Sequence, residues 1–144
     1  MSKAETAVGE FRKGFVCSQA VFTAFSSELG LDQEAALKLS GGLGAGMGRT
    51  NQTCGAVTGA YLAIGLKHGR SKLEDEAARQ KTYALIQEFD RRFKAKHNSV
   101  NCTELIGCFL GDPAQYQKAV SEGRFQTICA ELVRTAVEIA EELI

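Results

Sequence analysis

The sequence predicts an all-α protein: a single-domain helical bundle of about six to eight helices around a central helix rich in glycine and alanine. Apolar residues recur at spacings of three and four along most of the chain, which indicates amphipathic helices. No window shows the sustained alternation typical of a strand, and the chain contains only one proline. Its 144 residues fit one domain, which we place over residues 1–144.

Three short helices are predicted in the first 40 residues, over 3–13, 17–29 and 32–40. Gly14 ends the first helix and Gly30 the second, as expected of a residue that commonly terminates helices. Asp32 is a favourable N-cap for the third helix.

The stretch from Gly41 to Leu66 organises the rest of the chain. Five of the residues from 41 to 48 are glycine, and such a run does not hold regular structure by propensity alone. These glycines match no phosphate-binding pattern. We expect the segment either to carry the backbone tightly past a functional site or to form a flexible surface turn. In the first case, the residues that follow it would tune that site: Arg49, Thr50, Asn51 and Gln52.

A central helix is predicted after this segment and is expected to end near His68. Thr53 is its expected N-cap, so that Cys54 lies in the first turn. One face of the helix has almost no side-chain bulk and allows other helices to approach closely. This face is formed by Gly55, Gly59 and Ala63.

The longest helix is predicted over 72–96, with Ser71 as its cap. Asn101 begins the next helix through an N-x-x-E capping box. This box places Cys102 at the first position of a helix that carries Phe109 and Leu110.

Two further helices complete the predicted bundle. Asp112 and Pro113 form a cap and first-turn proline for a short helix that ends at Ser121. The last helix covers 126–143, and Cys129 falls in its first turn.

Charge and hydropathy exclude several classes of protein. The 17 basic and 17 acidic side chains give a net charge of zero, whereas nucleic-acid-binding domains usually carry a basic excess. The longest apolar stretch, Cys54 to Leu66, is shorter than the roughly 20 residues that span a bilayer. The N-terminus lacks the apolar segment of a secretory signal. We therefore expect a cytoplasmic protein with no nucleic-acid partner and no membrane span.

The five cysteines are the candidate functional residues. Thiols stay reduced in the cytoplasm, so cysteines there point to metal binding or redox chemistry more than to structural disulfides. Cys17, Cys54 and Cys102 are predicted at helix starts and Cys129 in a first turn, where the helix dipole favours a thiolate. Cys108 lies in an apolar stretch and is expected to pack as a small hydrophobic residue.

None of the four helix-start cysteines forms a C-x-x-C pair, so the spacing indicates neither a zinc ribbon nor a thioredoxin-like site. A site assembled from four separate helix ends remains open. Four thiolates are a suitable ligand set for zinc or for an iron–sulfur cluster.

The same residues carry a resemblance to a known family. Cys17, the run Cys54–Gly59 (C-G-A-V-T-G), Cys102 in the run N-C-T-E-L-I-G, and Cys129 resemble a redox-active family named for its C_GCAxxG_C_C cysteine pattern. The resemblance covers nearly the whole chain. It maps the four family cysteines onto Cys17, Cys54, Cys102 and Cys129 and leaves Cys108 as an extra one. It implies a redox role and no established substrate or reaction.

These residues support three hypotheses. In the first, the four cysteines form a metal or iron–sulfur site, with an iron–sulfur cluster or zinc as cofactor, for electron transfer with a partner protein. In the second, the chain is a thiol–disulfide redox protein or sensor in which Cys54 is the reactive thiol and Cys17 the second catalytic cysteine. In the third, it is a non-catalytic helical interaction protein whose cysteines only pack. The sequence leaves open whether the protein is an enzyme and whether it forms a homodimer.

Overall fold

The computed structural model describes residues 1–144 and confirms the all-α prediction, with eight α-helices. One short segment, residues 44–47, forms a turn in which Ala45 and Gly46 have left-handed backbone conformations, and one π-helical turn, Phe125–Cys129, precedes the last helix. No helix in the structure combines the length and the apolar character that a membrane crossing requires. The helices are α1 (Lys3–Lys13), α2 (Cys17–Ser26), α3 (Gln33–Gly41), α4 (Gly55–His68), α5 (Glu76–His97), α6 (Cys102–Ile106), α7 (Pro113–Ser121) and α8 (Ala130–Leu143).

Helix α4 lies at the centre of the bundle, as predicted from its small residues. It packs against α2, α5 and α8, and α1 covers α2 and α8 from the outside. Large aromatic side chains of α2 and α5 belong to the same buried core as the small residues of α4. The buried core includes Ala56, Val57, Ala60, Ala63 and Ile64 of α4, Phe22 and Phe25 of α2, and Phe89 and Phe93 of α5.

The start of α4 differs by one residue from the prediction. Cys54, and not Thr53, is the N-cap, and the helix begins at Gly55. Thr53 forms an isolated antiparallel bridge with Asn101, and beside it the Cys54 N–H donates to the Val100 carbonyl (2.8 Å). This pairing keeps residue 53 extended and moves the helix start along the chain.

The longest helix also begins later than predicted. Asp75 caps α5 by accepting a hydrogen bond from the Ala78 N–H (3.1 Å), and residues 71–75 precede the helix. Leu73 is 84% exposed and contributes nothing to the core. A carboxylate both accepts this hydrogen bond and complements the helix dipole, so it is a better cap than Ser71.

Helix α6 is shorter than predicted, because Gly107 adopts a left-handed conformation (φ 81°) and ends it. Cys102 is its first residue, as expected. The last helix is interrupted where the sequence suggested continuity: Cys129 is the final residue of the π-helical turn, and α8 starts at Ala130. π-helical turns are frequent at functional sites.

Candidate cysteine site

Four cysteines from four parts of the chain line one cavity of about 280 Å³. Cys17 is the first residue of α2, Cys54 caps α4, Cys102 is the first residue of α6, and Cys129 ends the π-helical turn. The structure therefore brings together all four of the cysteines that the sequence singled out.

The walls of this cavity are mostly apolar. Arg49 is the only charged residue among those that line it. Cys54 and Cys102 are 5% and 8% exposed, whereas Cys17 and Cys129 are partly exposed. The remaining wall is largely formed by Phe11, Phe15, Val16, Leu105, Ile106, Leu110, Tyr116, Phe125 and Leu132.

The four thiols are close enough to influence one another. A negative charge on Cys17 raises the pKa of Cys54, of Cys102 and of Cys129. Cys17 also lies directly against the first turn of α4, because a Cβ placed on Gly55 would overlap the Cys17 Sγ. The glycine at position 55 is thus what lets the two helix starts approach.

The expectation that the helix starts favour thiolates is wrong for the metal-free protein. Burial raises the pKa of Cys17 and raises that of Cys54 well above its ordinary value, and a charge on Cys17 adds to the shift of Cys54. Burial also raises the pKa of Cys102 to about 12 and raises the pKa of Cys129. The cost of removing a thiolate from water therefore raises the pKa of these cysteines by more than the helix dipole lowers it.

The backbone N–H groups at the helix starts still lower the pKa of the thiols, but this effect is smaller than that of burial. The backbone N–H groups of Ala45 and Ala56 lower the pKa of Cys17, and those of Ala56 and Val57 lower the pKa of Cys54. These N–H groups are fixed by the backbone. They would stabilise sulfur that has already lost its proton.

The glycine-rich segment carries the backbone past the site, which was one of its two predicted roles. Gly46 is buried and has a φ of 68°. A Cβ at Gly46 would lie 2.7 Å from the Cβ of Cys102 and 2.8 Å from the backbone nitrogen of Gln52. Only a glycine combines this left-handed conformation with so close an approach.

Arg49 separates the cysteine cavity from a second one of about 340 Å³. Its guanidinium stacks on the ring of Tyr116, 4.1 Å from the ring centroid, and it forms no ion pair within the chain. Both side chains line both cavities. Arg49 is one of the four residues that the sequence analysis expected to tune the site, whereas Tyr116 was not singled out.

Asn51, which the sequence analysis expected to tune the site, has a structural role that was not predicted. It is 5% exposed and has a φ of 57°. Its side-chain amide donates to the Cys108 carbonyl (2.7 Å) and accepts from the Leu110 N–H (2.8 Å). These bonds fix the loop after α6 against the glycine-rich segment.

The donor chemistry of the cavity suits a soft metal or an iron–sulfur cluster, since all four candidate ligands are cysteines. The arrangement does not suit a single ion, however. No group of three or more His, Cys, Asp or Glu side chains is placed so that it could hold a metal ion.

Comparisons with curated proteins and with solved structures find no significant match to this chain. A family model described as "Putative redox-active protein (C_GCAxxG_C_C)" matches residues 15–143. The matched range includes all four cysteines of the cavity, and its C-G-A-x-x-G run is the N-cap and first turns of α4. This chain therefore belongs to the C_GCAxxG_C_C family of redox-active proteins.

Proposed function

We propose that this protein transfers electrons by means of an iron–sulfur cluster held in the cysteine cavity by Cys17, Cys54, Cys102 and Cys129. The observation that carries the proposal is that these four thiols line one cavity in a member of a redox family. Four cysteines are the usual ligands of such clusters. Zinc accepts the same donors but has no redox chemistry.

The size of the cavity favours a cluster over a single zinc ion. About 280 Å³ is several times the roughly 30 Å³ that one water molecule occupies in the liquid.

The residues of the chain would hold deprotonated cysteines in three ways. Backbone N–H groups of Ala45 and Ala56 act on Cys17 and favour its thiolate. Arg49 supplies the only positive charge in the cavity wall. The apolar side chains exclude water, which strengthens both interactions. When bound, an iron–sulfur cluster supplies a centre that accepts and releases one electron.

The test is to purify the protein without oxygen, to add iron and sulfide under reducing conditions, and to measure bound iron, acid-labile sulfide and visible absorption. We expect a coloured protein with iron and sulfide in comparable amounts. Serine at any of the four cavity cysteines should remove most of the iron. Cys108→Ser is the matched control and should retain it, since Cys108 does not line the cavity. Colourless protein, or zinc without sulfide, would contradict the proposal.

Arg49→Gln tests the electrostatic part of the proposal in the loaded protein. A positive charge near a redox centre stabilises the reduced form. Its removal should lower the reduction potential while leaving the iron content unchanged. An unchanged potential would show that Arg49 does not act on the centre.

One observation favours a second candidate, thiol–disulfide chemistry between Cys54 and Cys17. A charge on Cys17 raises the pKa of Cys54, so the two thiols lie close together. Burial of both thiols acts against this candidate, because it keeps the nucleophilic thiolate scarce at neutral pH. Mild oxidation and subsequent peptide mapping test it. Complete recovery of Cys54 as a free thiol would exclude the candidate.

A further inference from the structure

The second cavity, of about 340 Å³, lies next to the cysteine cavity and is not the space proposed for the cluster. The two cavities share Arg49, Leu110 and Tyr116 as wall residues. Leu110 is buried and Tyr116 is half-buried, whereas the other residues around the second cavity are exposed. A small molecule can therefore reach this cavity from solvent. Its walls are formed by Arg49, Leu110, Gly111, Pro113, Tyr116 and Gln117.

The polar side chains of the second cavity have no partners within the chain. Arg49 is its only charged residue, and the guanidinium forms neither an ion pair nor a side-chain hydrogen bond. The Tyr116 hydroxyl and the Gln117 amide also form no hydrogen bond to another residue. No carboxylate lines the cavity. A molecule in this cavity meets one positive charge and two neutral hydrogen-bonding groups, and this combination favours an anion.

The Arg49 guanidinium is held in place before any ligand binds. It stacks on the Tyr116 ring, 4.1 Å from the ring centroid. Stacking uses the flat face of the guanidinium and leaves the N–H groups at its edge free. These N–H groups form a planar fork that matches the two oxygens of a carboxylate. Because the fork is already oriented, less side-chain freedom is lost when an anion binds.

The backbone that carries Arg49 adopts an unfavourable conformation. All residues from 45 to 49 have left-handed φ values, between 57° and 72°, although three of them are not glycine. Such a conformation is costly for residues other than glycine, and strain of this kind is concentrated at functional sites. The Thr50 hydroxyl holds the turn by donating to the carbonyls of Gly46 and Met47 (3.0 and 2.8 Å). The strained turn therefore fixes Arg49 at the wall that the two cavities share.

The opposite side of the second cavity is tied to the same segment. The Asn51 side chain accepts a hydrogen bond from the Leu110 N–H (2.8 Å). A Cβ placed on Gly111 would lie 2.9 Å from the Arg49 carbonyl oxygen, so the loop after α6 touches the backbone of Arg49. The charged and the apolar sides of the cavity are thus held in a fixed relation to each other.

We propose that the second cavity binds a small organic carboxylate, whose charged group pairs with Arg49 and whose apolar part contacts Leu110 and Pro113. A single guanidinium balances one negative charge, which suits a carboxylate better than a doubly charged phosphate. The volume is several times the roughly 30 Å³ of one water molecule in the liquid, so there is room for an apolar group beside the carboxylate. The inference goes beyond the proposed function and requires no bound cluster.

The experiment titrates the folded, metal-free protein, kept reduced with dithiothreitol, and follows its backbone amides by NMR. The probes are benzoate, benzamide and inorganic phosphate. Benzamide has nearly the shape of benzoate but no charge. We expect benzoate to bind saturably with a Kd below about 1 mM, with the largest shifts at Gly111 and Gln117. Benzamide and phosphate should bind at least tenfold more weakly.

Arg49→Gln should weaken benzoate binding at least tenfold. Arg12→Gln is the matched control and should leave it unchanged, because Arg12 is also an exposed arginine without an ion pair but lines neither cavity. Circular dichroism checks that both variants fold, and the comparison of benzoate with benzamide needs no variant.

Four results would overturn the proposal. These are no saturable binding of benzoate, equal binding of benzamide, tighter binding of phosphate, and unchanged affinity in folded Arg49→Gln. Shifts centred on Cys54 and Gly55 would also overturn it, because benzoate would then occupy the cysteine cavity. Iron is never added, so failure of cluster assembly is a separate result.

Discussion

Gly59 of α4 lies directly against the backbone of α2: a Cβ placed on Gly59 would be 2.7 Å from the carbonyl oxygen of Ser18. Such a distance is too short for real atoms, so any side chain at this position must push the two helices apart. Cys17 and Cys54 begin or cap these same two helices. The absence of a side chain at Gly59 therefore helps to set the distance between two of the cavity thiols.

Gly59→Ala should destabilise the protein, although alanine is normally the better helix former. Overpacking of a tight contact typically costs about 1–3 kcal/mol of the free energy of unfolding, and chemical denaturation measures it. Gly65→Ala is the matched control on the same helix, since a Cβ at Gly65 meets no atom within 4 Å. It should stabilise the protein by roughly 0.5–1 kcal/mol. Equal effects of the two substitutions would contradict the tight contact.

Gly55→Ala should alter the cysteine site more than the fold. The new Cβ would overlap the Cys17 Sγ and would lie 3.0 Å from the Leu43 carbonyl oxygen. The thiol has to move, so we expect a several-fold loss of bound iron in the loaded protein, with helical content unchanged by circular dichroism. Gly65→Ala again serves as control. Full iron binding by Gly55→Ala would show that the position of Cys17 does not limit assembly.

The sequence predicted the helices well where local signals decide them. Helix α1 is an amphipathic helix capped by Ser2 through a capping box, and Asp32 caps α3 as predicted. The start of α4 was missed by one residue because the pairing of Thr53 with Asn101 decides it. These two residues are far apart in the chain, so no local sequence pattern predicts their contact.

The candidate site shows the same division between local and long-range information. Helix-start patterns identified Cys17, Cys54 and Cys102, and the structure places them around one cavity. The direction of their pKa shifts was predicted wrongly, since it depends on burial by residues from many parts of the chain. The Asn51 bond to Cys108 spans 57 positions, so nothing in the local sequence could have suggested it.

Alkaline pH should destabilise the reduced, metal-free protein. The pKa of Cys102 is about 12 in the folded state and near 8.5 in an unfolded chain. A group with a raised pKa contributes its full stability below the unfolded value, and this contribution is lost as the pH rises toward the folded value. The loss is at most about 1.4 kcal/mol per pH unit for one thiol.

Urea denaturation between pH 7.5 and 10 measures this effect when Cys102→Ala is compared with the unmutated protein at each pH. The variant lacks the thiol, so the stability difference between the two proteins should shrink as the pH rises above about 8.5. A difference that stays constant over this range would show that Cys102 ionises as easily in the folded protein as in the unfolded chain.

Mild acid should also destabilise the protein, through protonation of His97. Burial lowers the pKa of His97, with a smaller contribution from Lys96, while Glu131 acts the other way. The ring contacts Phe93, with 5.0 Å between centroids, and the Nε2 lies 2.9 Å from the Thr135 Oγ1. The folded state thus prefers the neutral imidazole. Its contribution to stability is complete above the unfolded pKa of about 6.5 and is lost as the pH falls through the lower folded-state pKa.

His97→Gln replaces the imidazole by an amide that can still meet the Thr135 hydroxyl but does not titrate. We expect the Tm of the unmutated protein to fall between pH 7.5 and 5, and the Tm of His97→Gln to fall less over the same range. His68 provides the internal comparison, because burial lowers its pKa as well, so His68→Gln should remove a separate part of the acid dependence. Parallel Tm curves for His97→Gln and the unmutated protein would mean that the bundle tolerates a charged His97, and that its contact with Phe93 does not select the neutral ring.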